Sequence, residues 1–172
     1  MPIFLRLGQK EAEGHKRQDN RVSKMQIPEK PHAIVNANGL ILGRMASTVA
    51  KRLLKGEEIT IVNSENAILS GKRQSKVAKA KEFLEVGSPR MGPFHYRRPD
   101  RVVRRTVRGM LPFKQPKGKQ AYKRLKVFIG TPAELKERKT ETIESAQAKK
   151  LTCPYFTVGE FAKEIGWNKG EQ

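Results

Sequence analysis

Thirteen Lys and Arg side chains lie between Val86 and Ala133, where Asp100 is the only acid. Intramolecular ion pairs within such a stretch cannot neutralise it, so its charge is free to meet a polyanion. Arg101, Arg104, Arg105 and Arg108 fall on one face of a helix, opposite Val102, Val103, Thr106, Val107 and Met110. Guanidinium groups are planar, bidentate donors suited to phosphate oxygens, and four along one helix face can follow a backbone without reading its sequence. Further candidate RNA-binding cations are Arg44, Lys72, Arg73, Lys76, Arg90, Arg97, Arg98, Lys114, Lys117, Lys119, Lys123 and Arg124. His95 and Tyr96 lie among these arginines and join them as candidate RNA contacts. Phe94 and Tyr96 could stack on splayed bases or plug their loop onto the core; core packing is favoured for Phe94, and the two roles weigh evenly for Tyr96.

Other chemistries find little support. Gly71-Lys72 invites a phosphate-loop reading, but Asn66 stands where the first glycine is needed and Arg73 where a Ser or Thr is needed. Gly39 and Gly43 lack the spacing of a dinucleotide fingerprint. His15, His32 and His95 are far apart and form no metal-binding pattern, and no cofactor or metal is expected. Ser64, Ser70 and Ser88 have no nucleophile-elbow setting, and Cys153 has no basic cluster beside it to lower its pKa. Two-metal nuclease chemistry needs clustered carboxylates, which the basic third lacks. No catalytic residue is assigned, and a binding surface remains.

The elements that must position this surface read as alternating strands and helices. Ala33–Val35, Ile59–Val62, Ala67–Leu69 and Leu125–Gly130 are strand candidates. Leu42, Met45, Ala46, Val49, Ala50, Leu53 and Leu54 recur at helical spacing, with Gly56 placed as a C-terminal cap. A basic helix is predicted from about Ser75 to Leu84, with Val77, Ala80 and Leu84 inward. The arginine helix begins at Pro99 and closes at Pro112, and a short basic helix contains Ala121 and Tyr122. Thr131-Pro132-Ala133-Glu134 and Thr157-Val158-Gly159-Glu160 both have the form of capping boxes. Such alternation predicts an α/β domain with a mainly parallel sheet and helices on both faces.

Length and composition set the frame for these elements. A chain of 172 residues fits one domain plus extensions, and 36 basic against 17 acidic residues leave a net charge of +19. Residues 72–130 carry 18 basic and 3 acidic side chains, a net of +15, whereas residues 131–172 carry 7 of each. The neutral C-terminal segment is therefore expected to serve packing or protein contacts. Residues 1–30 lack a core-forming period and read as a flexible extension; with Met25 just before the organised region, the first 24 residues read either as an arm or as the product of an upstream start. Residues 31–172 are expected to form the single domain. A lone cysteine excludes an internal disulfide and fits a reducing, intracellular setting. The hydrophobic share of 37% supports a modest core, and no apolar run is long enough for a membrane span or secretory leader.

Val107-Arg108-Gly109-Met110-Leu111-Pro112, followed by Gly118-Lys119 and Leu125-Lys126-Val127-Phe128-Ile129-Gly130, resembles the signature of the ribosomal protein L13 family. Asn38-Gly39, Leu42–Ser47 and Ile61–Glu65 resemble the same family's opening strand, helix and second strand. The likeness runs from about His32 to Trp167, and Gly92–Pro99 resembles the archaeal and eukaryotic form. The resemblance implies a three-layer α/β/α domain around a four-stranded, mainly parallel sheet; the first 24 to 30 residues are not part of that pattern, and the N-terminal arm and C-terminal helical extension are read from the chain itself. It also implies a non-catalytic constituent of the large ribosomal subunit, in the cytoplasm, that binds and organises 23S-type rRNA beside neighbouring ribosomal proteins and supports subunit assembly. No membrane and no homo-oligomer are expected. The alternative is an RNA-modifying enzyme, because open parallel sheets bind ligands beyond the carboxyl ends of their strands.

Overall fold

A computed structural model describes residues 32–87, 92 and 95–168, with Lys150 described by its backbone alone. The expected arm over residues 1–30, Arg90 and Phe94 lie outside the described residues. Strand β1 (His32–Asn36) leads through a turn into helix α1 (Leu42–Leu54), and β2 (Glu58–Val62) follows. Then come β3 (Ile68–Ser70), α2 (Arg73–Glu85), α3 (Pro99–Met110), α4 (Pro116–Lys123), β4 (Leu125–Val127), β5 (Tyr155–Thr157) and α5 (Val158–Glu164).

Strands β1, β2 and β4 form a parallel sheet in the order β1-β2-β4, with Val35 opposite Ile61 and Ile61 opposite Val127. The ladder continues past β4, because Phe128 N–H donates to the Ile61 carbonyl and Asn63 N–H to that of Gly130. The predicted strand to Gly130 is thus paired along most of its length. The third predicted strand lies elsewhere: β3 pairs antiparallel with β5 in a separate two-stranded sheet, Leu69 opposite Phe156. A single four-stranded sheet is therefore replaced, among the described residues, by three parallel strands plus a pair. Glu141 adds one parallel bridge to the outer edge of β1, exchanging hydrogen bonds with Ile34 and Asn36.

The core lies on one face of the parallel sheet. Val35, Ile59 and Ile61 point into it, and Met45, Val49, Leu53, Val103, Val107 and Ala121 meet them from α1, α3 and α4. Every inward position predicted for α1 is buried except Leu54, which is partly exposed. Gly56 turns the chain out of α1 at φ +105°, a conformation that glycine adopts without Cβ strain. The other sheet face carries only a small cluster of Ile34, Val62, Leu135 and Phe128. Its cover is the chain after β4, including a short 3-10 turn at Ala133–Leu135, so helices on both faces are not what these residues build.

The C-terminal segment is less helical than its two capping boxes predict. Thr157 and Glu160 form a reciprocal box at the start of α5, with Glu160 N–H 3.1 Å from Thr157 Oγ1. Thr131 caps nothing; Thr131 Oγ1 donates to Asn63 Oδ1, and the backbone makes only 3-10 turns before β5. Val158 and Ala162 are nevertheless fully buried, and Ala146 packs into the main core.

One titratable group is part of this architecture. His32 begins β1 with Nε2 3.0 Å from Thr60 Oγ1, while its Nδ1 is buried. Burial pushes its pKa below the ordinary 6.5; Glu58 opposes the shift, and Lys126 and Arg138 reinforce it. The unfolded chain therefore binds more protons than the folded one below pH 6.5, so stability must fall as pH drops from there toward the folded pKa. The slope from this one group is at most about 1.4 kcal/mol per pH unit. Urea unfolding at successive pH values should show the decline, and His32→Gln should flatten it.

Candidate nucleic-acid interface

Helix α3 is the centre of the basic surface, and its amphipathic sequence fixes which way it faces. Pro99 sets the first turn, Val103 and Val107 are fully buried, and the helix packs chiefly against α1 and β4. Met110 departs from the sequence pattern and lies 42% exposed. Arg101, Arg104, Arg105 and Arg108 are all exposed, and none forms an ion pair among the described residues.

Each of these four guanidinium groups lies over an aromatic ring. Arg101 sits 5.6 Å from the Tyr96 ring centre, Arg104 4.7 Å from Tyr122, Arg105 5.2 Å from Phe83 and Arg108 4.0 Å from Phe113. The ring quadrupole attracts the cation and restrains its side chain, while the N–H edges stay available to an anion. The rings also divide the arginines. Arg101 and Arg105 lean toward Tyr96 and α2, whereas Arg104 and Arg108 lean toward Phe113 and α4. The single ladder predicted from sequence is thus two rows of i, i+4 pairs, each spaced about 6 Å along the axis.

The remaining candidates divide by environment. Arg44 on α1, Lys72 and Lys76 at the start of α2, and Lys114, Lys117, Lys119 and Lys123 around α4 are exposed. Arg73 pairs with Glu164 of α5, and Arg98 pairs with Asp100 at 3.2 Å. Arg97 lies against Gly166, where an added Cβ would stand 3.1 Å from its Nη1. Arg124 is half-buried beside Gly56, with its Nε buried. Tyr96 is 42% exposed, and His95 turns onto the Phe83 ring at 4.0 Å between centres. Sequence reasoning missed Phe83, Phe113 and Tyr122 as supports; the available signal was that Phe113 closely follows α3 and that Phe83 and Tyr122 lie on the basic helices α2 and α4.

The carboxyl ends of the parallel strands, where an enzyme of this class would bind its ligand, are filled by the chain's own polar groups. Asn63 Nδ2 donates to Asn36 Oδ1 at 3.0 Å, and the Glu65 carboxylate accepts the Gly130 N–H at 2.9 Å. Asn63 holds φ at +55° to make these contacts. Among the described residues no group of three His, Cys, Asp or Glu side chains is placed to hold a metal, and no helix is long and apolar enough to cross a membrane.

Fold and surface together define a small basic α/β protein with four exposed arginines restrained over aromatic rings. The sequence matches the family model described as Ribosomal protein L13 over residues 30–134. Among relatives, a protein of Methanosarcina barkeri named large ribosomal subunit protein uL13 is 49% identical over 77% of this chain and 96% of its own. Proteins of the same name from Archaeoglobus fulgidus and Methanocaldococcus jannaschii are each 44% identical, over 78% and 77% of this chain and 87% and 96% of their own. The chain belongs to the ribosomal protein L13 family. It is a ribosomal protein and not an enzyme.

Gly118 has a clear packing reason. A Cβ there would stand 2.1 Å from the Pro112 carbonyl oxygen and 2.5 Å from its carbon, so α4 crosses the 112–113 turn only through bare backbone. Gly118→Ala must displace the turn that carries Phe113 beneath Arg108. A stability loss of about 3 kcal/mol, the upper end for an overpacked site, is expected by urea unfolding. RNA affinity measured well below the new midpoint should fall as well.

Proposed function

We propose that this chain is a structural constituent of the large ribosomal subunit, in the cytoplasm, that binds and organises 23S-type rRNA without catalysis or cofactor and supports subunit assembly. The observation that carries the reading is the set of four α3 arginines, each stacked on a ring and none paired with a carboxylate among the described residues. Solvent-exposed cations of a merely soluble protein are ordinarily mixed with acids; these face outward as a single-sign surface. Lys72, Lys76, Lys114, Lys117, Lys119 and Lys123 extend it on both flanks. Arg73 and Arg98 contribute less, since their guanidinium groups are ion-paired within the chain, and Arg124 contributes less because it is half-buried.

Residues 31–172 act as one domain in this reading, with residues 1–30 as an extension and residues 72–130 as the RNA-binding region. The charge-neutral segment 131–172 completes the packing and faces neighbouring ribosomal proteins. The filled strand ends count against the RNA-modifying alternative, because Asn36, Asn63, Glu65 and Thr131 spend their polar groups on one another and on backbone.

Changing Arg104, Arg105 and Arg108 together to Gln keeps good helix formers and leaves Val103 and Val107 in place, so the fold should persist. Affinity for a large-subunit rRNA transcript should drop. The log–log salt slope should fall by about 0.7–0.9 for each phosphate left without its arginine, or about 2–3 in all. An unchanged slope and affinity would show a merely solvated face.

A further inference from the structure

We infer that the cleft between α2 and α3 is a capture site for a single unpaired RNA base, a reading that rests on the RNA-binding function proposed above. The cleft encloses about 330 Å³ and is lined by the apolar Leu84, Val102 and Ile165 together with Phe83, His95 and Tyr96. Its size falls at the lower end of small-ligand sites. Phe83 and Tyr96, both lining the cleft, are 46% and 42% exposed, so each ring keeps open area although Arg105 and His95 lie against Phe83 and Arg101 lies over Tyr96. A stacked base would cover them, and every base offers a π-face.

Two further observations select a nucleotide over an apolar peptide side chain. His95 Nε2 is buried with no hydrogen-bond partner among the described residues, a state that costs free energy until a donor or acceptor arrives. The edge of a base carries both. Arg105 lines the cleft and Arg101 stands over Tyr96 beside it, while none of the lining residues is acidic. Phosphates flanking an extruded base would meet these two guanidinium groups. Aromatic walls, a polar group for the base edge and cations for the flanking backbone are the elements of single-stranded RNA recognition. This cleft also gives α2 a purpose: that helix buries only Val77 and lines the cleft with Ala80, Phe83 and Leu84.

The test compares the full chain binding two hairpin RNAs, one with a single-nucleotide 2-aminopurine bulge and one with the same nucleotide paired. The bulged RNA should bind more tightly, with its fluorescence quenched by stacking. Phe83→Ala should reduce that preference by about 5- to 100-fold, the range for loss of one stacked base, until it approaches one. Ala80→Leu, which fills the cleft without removing a ring or a charge, should do the same; circular dichroism would verify that both variants fold. Arg108→Gln, outside the cleft, should weaken both RNAs and keep their ratio. If the unaltered protein shows no preference while Arg108→Gln still weakens both RNAs, the cleft is not a base site and only this inference falls. A preference that survives Ala80→Leu overturns it equally. Should neither RNA respond to Arg108→Gln, the arginine surface itself is misassigned.

Discussion

Everything on the basic surface depends on the burial of one narrow apolar stripe. Val103 and Val107 anchor α3 against α1 and β4, and without that packing a helix bearing four mutually repelling guanidinium groups would have no reason to stay docked. Burial of two valines is worth several kcal/mol at most, which is modest against the self-repulsion of a chain carrying +19. Aromatic rings supply part of the difference. Tyr96, Tyr122, Phe83 and Phe113 each attract one arginine and hold it apart from its neighbours.

Much of this was legible in the sequence, and the reason is local. Positions 42–54 and 99–110 show strong helical periodicity, Pro99 marks a first turn, and Gly56 marks a left-handed exit, so these elements follow from neighbours along the chain. The cluster of cations was equally visible, being a matter of counting. Which strand pairs with which was not. Ile68–Ser70 has the same apolar character whether it extends the parallel sheet or joins Tyr155–Thr157, and only the tertiary path chooses. Thr131 and Thr157 carry the same box pattern, yet Thr131 is held by Asn63 across the sheet end and is lost to capping. The division of the arginines into two rows is invisible in a helical projection, which gives directions without saying which ring lies beneath each side chain.

The polar knot at the strand ends shows how an α/β scaffold is turned from ligand binding to support. Asn36, Asn63, Glu65 and Thr131 come from three separated segments and join the ends of β1, β2 and β4 to the chain that follows. The same groups, left free, would make a polar crevice. Here they satisfy one another, the crevice is closed, and the interacting surface moves to the helices.

The outer edges of both sheets are completed late in the chain. Glu141 reaches back to β1, and β5 reaches back to β3, so neither edge is satisfied until residues from the last quarter of the protein are present. During synthesis, the arginine helix is made before the segments that close those edges. A nascent chain of this kind would carry its full net charge of +19 while still exposing unpaired strands, a state prone both to aggregation and to indiscriminate adhesion to nucleic acid. The order of elements thus completes the basic surface in the chain before the residues that seal both sheet edges.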